Sequence, residues 1–122
     1  MKFTIKKFKE LTAEDLYRIL KLRFDVFVVE QKSIYNEFDD IDYDARHIFL
    51  RKNKEIIAYL RAFKKTGKIA KLGRIVVAPK YRKMGIGRKL INTGINCAKN
   101  KFKASTLEIE AQSYLENYQE QE

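Results

Sequence analysis

The change from strand to helix in the middle of the chain constrains the fold most strongly. The segment from Ile69 to Val77 becomes continuously apolar towards its end, as expected for a strand that enters a core, and Pro79 stops it. From Ile86 to about Asn100, apolar residues recur at helical spacing. A buried strand followed closely by an amphipathic helix predicts an α/β domain.

The order of the other elements supports the same fold class. Polar connections at Lys52 to Lys54 and at Lys65 to Gly67 predict a meander of three strands. Because the sequence has no internal repeat or linker, residues 1–122 are predicted to form one domain with a mixed sheet. In chain order we predict a strand within Lys2 to Lys9, a helix that begins after Thr12, an acidic loop, strands over Arg46 to Arg51, Glu55 to Phe63 and Ile69 to Val77, the helix from Ile86, a strand over Ser105 to Ala111, and a polar tail.

The first helix has a recognisable start. Thr12 and Asp15 have the spacing of a capping box, although Asp replaces the usual Glu or Gln. Apolar residues then follow at helical spacing from Leu16 onward. Four of the later ones are expected in the core: Phe24, Phe27, Val28 and Val29.

Charge is divided unevenly along the chain. The net charge is +10, and the segment from Ile56 to Leu107 has fourteen Lys and Arg residues but no acidic residue. By contrast, the segment from Glu37 to Asp44, which we call the acidic loop, holds five carboxylates in eight residues. The basic half suggests a polyanionic partner such as nucleic acid, a phosphorylated cofactor or a membrane surface; the alternative is a lysine-rich composition that serves solubility.

Other features predict a cytoplasmic protein. No run of about 18 apolar residues is present, and the N-terminal residues lack the apolar region of a signal peptide, so we expect no membrane contact. The one cysteine, Cys97, has no partner for an internal disulfide and is expected in the core. Because no Cys/His cluster has metal-ligand spacing, no metal is predicted.

The connection between the strand and the second helix is suited to phosphate. In such connections the N–H groups of the loop and of the first helical turn converge on an anion. Gly85 and Gly87 have no Cβ, so both positions tolerate positive φ and let a ligand approach the main chain. The alternative is a surface turn whose glycines serve the turn and whose cations serve solubility. The cationic side chains around the glycines are Arg82, Lys83, Arg88 and Lys89.

Two common phosphate loops do not match, whereas a third does. No glycine starts the nucleoside-triphosphate pattern G-x-x-x-x-G-K-[ST], and the dinucleotide pattern G-x-G-x-x-G needs a glycine where Leu90 stands. The run from Arg82 to Gly87, RKMGIG, resembles the Q/R-x-x-G-x-G/A signature of the GNAT superfamily of N-acetyltransferases. In addition, LRFDVFVVEQKSIYNEFDDID followed by RHI resembles the ElaA-like branch. The resemblance covers Leu22 to Asn117.

The resemblance implies a fold and a cosubstrate, acetyl-coenzyme A. The fold is a mixed, mostly antiparallel sheet flanked by helices, expected here to lack the final strands of the family. The pantetheine arm is expected on the main chain of Ile75, Val76 and Val77, with the N–H of Val77 as donor to the thioester oxygen. The other implied contacts are Arg82, Lys83, Met84, Gly85, Ile86, Gly87 and Arg88 at the pyrophosphate and Asn117 from the next helix.

The implied chemistry is direct attack of a neutral amine on the thioester, which needs a base, an oxyanion donor and an acid for the departing thiolate. Tyr118 is the candidate acid, with Tyr114 a poorer one, and the alternative is a tyrosine on a frayed terminus. Glu30 either accepts the amine proton or positions the substrate, and the alternative is a solvated carboxylate. His47 is expected to make a local hydrogen bond, with catalysis as the alternative.

Several other carboxylates also have two interpretations. Glu108 and Glu110 share one face of the last strand, where they form a polar outer face or, alternatively, supply the base. Asp39, Asp40 and Asp42 either attract a cationic amine or balance the basic half of the protein.

The sequence therefore favours an N-acetyltransferase that moves an acetyl group from acetyl-coenzyme A to a small-molecule or peptide amine. One alternative is a module of the same fold that binds coenzyme A without turnover. A second is a basic nucleic-acid-binding protein, although the aromatic residues cluster before residue 64 and offer no stacking platform among the lysines. We also expect a homodimer in which a second copy covers the edge of the strand Ser105 to Ala111.

Overall fold

Five strands form one sheet in the computed structural model, which describes residues 2–34 and 36–110. Their order is β1-β2-β3-β4-β5; the first four pair antiparallel, and β5 runs parallel to β4. The predicted meander and the mixed, mostly antiparallel sheet are therefore confirmed. The strands are β1 Thr4–Lys7, β2 Arg46–Lys52, β3 Glu55–Thr66, β4 Ile69–Val77 and β5 Thr106–Ile109.

Helices cover both faces of this sheet. On one face lie α1, Ala13–Arg23, and a π-helix, Phe24–Glu30; on the other lies α2, Ile86–Lys101. Neighbouring residues of a strand point to opposite faces, so Tyr59 packs in the cluster under α1 whereas Leu60 packs in the cluster under α2. No helix among the described residues has the length and apolar character needed to cross a membrane.

A capping box starts α1, as predicted. The Thr12 hydroxyl accepts the N–H of Asp15 at 3.0 Å, and the Asp15 carboxylate accepts the N–H of Thr12 at 3.0 Å. The same carboxylate binds Lys6 at 2.9 Å and Arg51, so it also ties α1 to β1 and β2. Although burial would raise the pKa of Asp15, its hydrogen bonds from Lys6 and Thr12 lower that pKa.

The helix after Arg23 has wider turns than an α-helix. The N–H of Gln31 donates to the carbonyl of Val26 at 3.1 Å, and the N–H of Ser33 donates to that of Val28 at 3.2 Å, both five residues back. Such π-helical turns are rare and often lie at functional sites. Here the π-helix ends at Glu30, beside the end of β4.

The prediction of the core face was wrong for two residues of the π-helix. Phe27 is buried and Val28 is half-buried, but Phe24 and Val29 are 52% and 57% exposed. The helix face that packs on the sheet is mostly apolar but also includes Asp15 and Arg23. These two charged side chains are buried there because each forms an ion pair. A hydropathy pattern assigns such charges to the outside, so it selects the neighbouring stripe instead.

That neighbouring stripe faces a pocket of about 690 Å³ between α1, the π-helix and the residues that follow it. Its walls are mostly apolar, with a carboxylate and a surface ion pair among them. The residues that line it are Tyr17, Leu20, Lys21, Phe24, Asp25, Val28, Ile34, Asn36, Glu37 and Phe38.

Candidate active site

β4 bends where its pairing with β3 changes register. Tyr59 pairs with Val76 and Arg61 pairs with Gly73, so β4 has one more residue than β3 between these pairs. Arg74 lies in this β-bulge with a φ of 49°. Bulges redirect side chains and end regular pairing, and they are common beside active sites.

β4 and β5 separate next to this bulge, which leaves an opening between the two strands. Their parallel pairing covers Ile69 to Leu72 of β4, and the N–H of Glu110 adds one bond to the carbonyl of Leu72 at 3.0 Å. β4 then continues along β3 as far as Val77. At the opening, the Glu110 carboxylate accepts the N–H of Arg74 at 2.9 Å. A Cβ on Gly73 would lie 3.2 Å from this carboxylate oxygen, so glycine leaves the room that Glu110 occupies.

Main-chain groups at the end of β4 point in two directions, towards β3 and away from it. The N–H of Ala78 donates to β3 at 2.8 Å, so the N–H and the carbonyl of the preceding residue, Val77, point away from β3. Accordingly, the carbonyl of Val77 accepts from Nε of Arg82 at 2.9 Å. The side chains of Ile75, Val76 and Val77 are buried and fix this strand in the core.

Residues 78–85, which we call the basic loop, lead from β4 to α2. Lys83 and Gly85 take left-handed conformations, with φ of 64° and 82°. Gly85 is the N-cap of α2, where no side chain caps the helix and no acidic residue lies in the first turn. Exposed cations lie on both sides of this helix start, among them Lys83 and Arg88. An uncapped helix start beside cations attracts an anion.

The two glycines differ in conformation. Both tolerate positive φ, but only Gly85 takes it, and Gly87 belongs to the first turn of α2. The helix has already begun at Ile86, which is buried, so Gly87 takes the ordinary helical backbone.

Arg82 and Glu30 form a two-pronged ion pair. Nη1 and Nη2 of Arg82 donate to the two carboxylate oxygens of Glu30 at 2.7 and 2.8 Å. Glu30 is 42% exposed and so keeps contact with solvent, while the hydrogen bonds from Arg82 lower its pKa. Arg82 in turn is held by these protein groups and by the carbonyl of Val77.

Three arginines bind the carboxylates of the acidic loop. They come from α1, β3 and β4, and each binds two carboxylates: Arg23 binds Glu37 and Asp42, Arg61 binds Asp39 and Asp42, and Arg74 binds Glu37 and Asp39. The Arg61 hydrogen bond lowers the pKa of Asp39 to about 2. Asp39 and Asp42 thus neutralise arginines within the fold, whereas Asp40 makes no such pair among the described residues.

His47 lies buried beside this network. Its Nε2 is 2.9 Å from the carbonyl of Asp42, which only accepts, so Nε2 carries the proton. Nδ1 therefore accepts from the Tyr59 hydroxyl at 2.7 Å. Burial lowers the pKa of His47 and raises that of Tyr59, so both are neutral near pH 7. His47 makes the local hydrogen bonds that we expected.

The chain matches a known protein family over most of its length. The sequence profile of the Acetyltransferase (GNAT) family matches residues 13–118. The chain belongs to this family. Its fold and membership indicate acyl transfer as the class of reaction.

Individual relatives show to which branch of the family the chain is similar. A UPF0039 protein of Schizosaccharomyces pombe is 40% identical over 116 residues, which are 93% of this chain and 77% of the relative. Protein ElaA of Escherichia coli is 33% identical over 113 residues, covering 89% of this chain and 74% of ElaA. This GNAT chain is therefore ElaA-like.

Two solved structures support the same assignment. The crystal structure of E. coli ElaA superposes with a TM-score of 0.89 at 30% identity, covering 98% of this chain and 84% of ElaA. An acyl-CoA N-acyltransferase from Pseudomonas aeruginosa has a TM-score of 0.87 at 31% identity, covering 98% of this chain and 85% of that one.

The structure brings most of the predicted site residues of this GNAT chain together. The end of β4, the basic loop and the start of α2 are continuous, and Glu30 reaches them through Arg82. Three predicted residues, Asn117, Tyr118 and Tyr114, lie outside the described residues. Glu108 binds Lys65 at 2.8 Å on the exposed surface.

Sequence reasoning missed the anchor of the acidic loop and the bulge. Arg23 and Arg61 are buried, but nothing local marks them, because their partners lie elsewhere in the chain. Gly73 before Arg74 in an otherwise regular strand was the available signal for the bulge, since an isolated glycine in a strand suggests one.

Proposed function

We propose that this chain binds acetyl-coenzyme A and transfers its acetyl group to an amine. The observation that carries the proposal is the start of α2. There an uncapped helix end, free of acidic residues in its first turn, follows the left-handed Gly85 among exposed cations. The N–H groups of a first helical turn have no partner within the helix, so they suit the negative charge of a pyrophosphate.

The residues around this helix start fit the cosubstrate in two further respects. A ligand near Gly85 meets no Cβ, and a Cβ built there would itself have no heavy atom within 4 Å, so the backbone is open to close approach. In addition, Ile75, Val76 and Val77 lie beyond the part of β4 that pairs with β5. We assign the pyrophosphate to residues 83–88 and the pantetheine arm to the end of β4.

Acetyl-coenzyme A supplies the activated acyl group, whose C–S bond is exchanged for a bond to the amine nitrogen. The chain must then accept a proton from the amine, donate to the carbonyl oxygen, and give a proton to the thiolate. We propose the N–H of Val77 as the donor to the carbonyl oxygen. Tyr118 is proposed as the acid.

Glu110 is the carboxylate that we propose as proton acceptor. It lies where β4 and β5 part, and one of its oxygens is fixed by the N–H of Arg74. Among the described residues its other oxygen makes no hydrogen bond, which leaves it available for a proton. Glu30 suits this task less well, because the Arg82 hydrogen bonds lower its pKa and occupy both oxygens.

Calorimetry with coenzyme A tests the proposal. Between about 50 and 300 mM salt, binding of coenzyme A should weaken several-fold, whereas binding of pantetheine, which has no phosphate, should change little. Release of free thiol from acetyl-coenzyme A on addition of amines then tests for turnover. Equal salt responses of the two ligands, or no binding of either, would contradict the assignment of the basic loop. Binding without thiol release would leave a coenzyme A-binding module.

A further inference from the structure

One side chain joins three elements at the edge of the candidate site. Arg82 lies directly before Lys83 in the basic loop. Its Nε donates to the last residue of β4, Val77, at 2.9 Å, and its Nη1 and Nη2 donate to Glu30 at the end of the π-helix, at 2.7 and 2.8 Å. All three guanidinium nitrogens therefore donate to protein groups, and the Arg82 side chain is only 18% exposed.

We propose that Glu30 and Arg82 form a latch that positions the basic loop for the pyrophosphate. In this proposal, which rests on the proposed function, Arg82 acts through the loop and does not itself touch phosphate. Glu30 is then a positioning residue and not the proton acceptor.

The loop has a physical need for such a latch. Between Arg82 and α2 the chain passes through two left-handed residues, Lys83 and Gly85, and a non-glycine residue in that conformation is strained. Such a conformation persists only where contacts on both sides define it. On the α2 side the buried Ile86 anchors the chain, and on the β4 side the anchor is Arg82.

The chemistry of the pair suits a fixed position better than a mobile contact. A planar guanidinium and a carboxylate that meet in two parallel hydrogen bonds form one of the strongest and most directional ion pairs. The third bond, to the Val77 carbonyl, leaves Arg82 little freedom to turn. The π-helix ends at Glu30, so its wide turns bring this carboxylate to the loop.

A charge swap tests the latch. We would measure coenzyme A binding by calorimetry for Glu30→Arg, for Arg82→Glu and for the double variant. Each single reversal places two like charges together and should weaken binding about tenfold. The double variant restores an ion pair but not the bond from Arg82 to the Val77 carbonyl, so it should bind at least about threefold more tightly than either single variant.

The signs of the charges make this test sharp. Glu30→Arg adds positive charge near an anionic ligand, so long-range attraction alone would strengthen binding. A loss of affinity therefore reports on position. Glu14→Arg is the matched control, because Glu14 is an exposed glutamate of α1, paired with Arg18 at 3.6 Å. It adds the same charge and should bind coenzyme A at least as tightly as wild type.

Two outcomes would overturn the latch. If Glu30→Arg binds like wild type while Arg82→Glu and the double variant are equally weak, Arg82 is a direct phosphate ligand. If all variants bind alike, the pair has no part in binding. Should the reversals not fold, Glu30→Gln and Arg82→Lys replace them; both are expected to weaken binding, and unchanged affinity in both overturns the proposal.

Hydrogen exchange separates this proposal from the proposed function, because it needs no ligand. Without coenzyme A, amides of residues 82–88 should exchange faster in each single variant and slow again towards the wild-type rate in the double variant. Wild-type protein that binds no coenzyme A overturns the proposed function, while this exchange pattern still decides the latch. Unchanged exchange in the single variants overturns the latch itself.

Discussion

At the scale of single residues, the basic loop depends on backbone conformations that few residue types adopt without strain. Gly85 has a φ of 82°, and the space around its missing Cβ is empty within 4 Å. A side chain there would not collide with the protein. It would strain the backbone and stand where a ligand is proposed to approach the main chain.

Gly85→Val should therefore lose both stability and coenzyme A affinity. We expect the free energy of unfolding to fall by about 1–2 kcal/mol because of the left-handed backbone, and the affinity to fall about tenfold or more. Urea denaturation and calorimetry measure the two effects separately.

Gly67→Val is the matched control for this prediction. Gly67 also has a left-handed φ, 52°, and an empty space around its Cβ position, but it lies in the turn between β3 and β4. Its substitution should cost similar stability and leave coenzyme A binding unchanged. Equal affinity of the Gly85 and Gly67 variants would show that the basic loop does not bind the ligand.

At the scale of elements, α1 combines a sequence-local start with a face chosen by the sheet. Thr12 and Asp15 satisfy each other's N–H groups, which stabilises the first turn. The orientation of the helix depends on more distant groups, since Asp15 also binds β1 and β2 through Lys6 and Arg51. The cap thus links the start of the helix to the edge of the sheet.

Thr12→Ala should lower the free energy of unfolding by about 1 kcal/mol, because the hydroxyl that accepts the N–H of Asp15 is lost. Thr12→Ser keeps that hydroxyl and should be close to wild type. Thr93→Ala is the control, because Thr93 is a half-buried residue within α2 whose hydroxyl donates to the carbonyl of Lys89 and caps no helix start. A loss at Thr93 as large as at Thr12 in urea denaturation would argue against a capping effect.

At the scale of the whole molecule, the buried arginines make the fold sensitive to acid. Asp39 and Asp42 have pKa values lowered from 3.8, to about 2 for Asp39, chiefly through Arg61 in the first case. For Asp42, burial opposes the shift, and the bonds from Arg23 and Arg61 overcome it. Carboxylates with lowered folded-state pKa values stabilise the fold above their unfolded pKa and lose this contribution as the pH falls.

We therefore expect wild-type stability to decline as the pH falls from about 4 towards 2, the window between the unfolded and folded pKa of Asp39. Asp39→Asn should be less stable than wild type near neutral pH and should lose less on acidification, because it has no proton to bind. Urea denaturation across this window measures both slopes.

Asp25→Asn is the control for the acid response. Asp25 pairs with Lys21 on the surface, where both side chains are 52% exposed, and such pairs contribute little. The stability of Asp25→Asn should follow that of wild type at every pH. If Asp39→Asn also runs parallel to wild type, the Asp39–Arg61 pair does not contribute to the pH dependence.

Much of this protein is specified by short-range sequence pattern. The bounds of β4, the stop at Pro79, the capping box at Thr12 and the start of α2 at Ile86 all agree with prediction, because each depends on neighbours a few residues away. The signature from Arg82 to Gly87 likewise lies in one loop. Local periodicity, turn residues and caps act before any long-range contact is made.

The candidate site itself depends on contacts that only the folded chain makes. Arg23 and Glu30 look like solvated helix residues in the sequence, yet their partners lie in the acidic loop and the basic loop. The bulge at Arg74 exists because β4 pairs with β3 on one side and meets Glu110 on the other. A charge is tolerated in the interior only where an opposite charge lies beside it, and tertiary packing alone brings the two together.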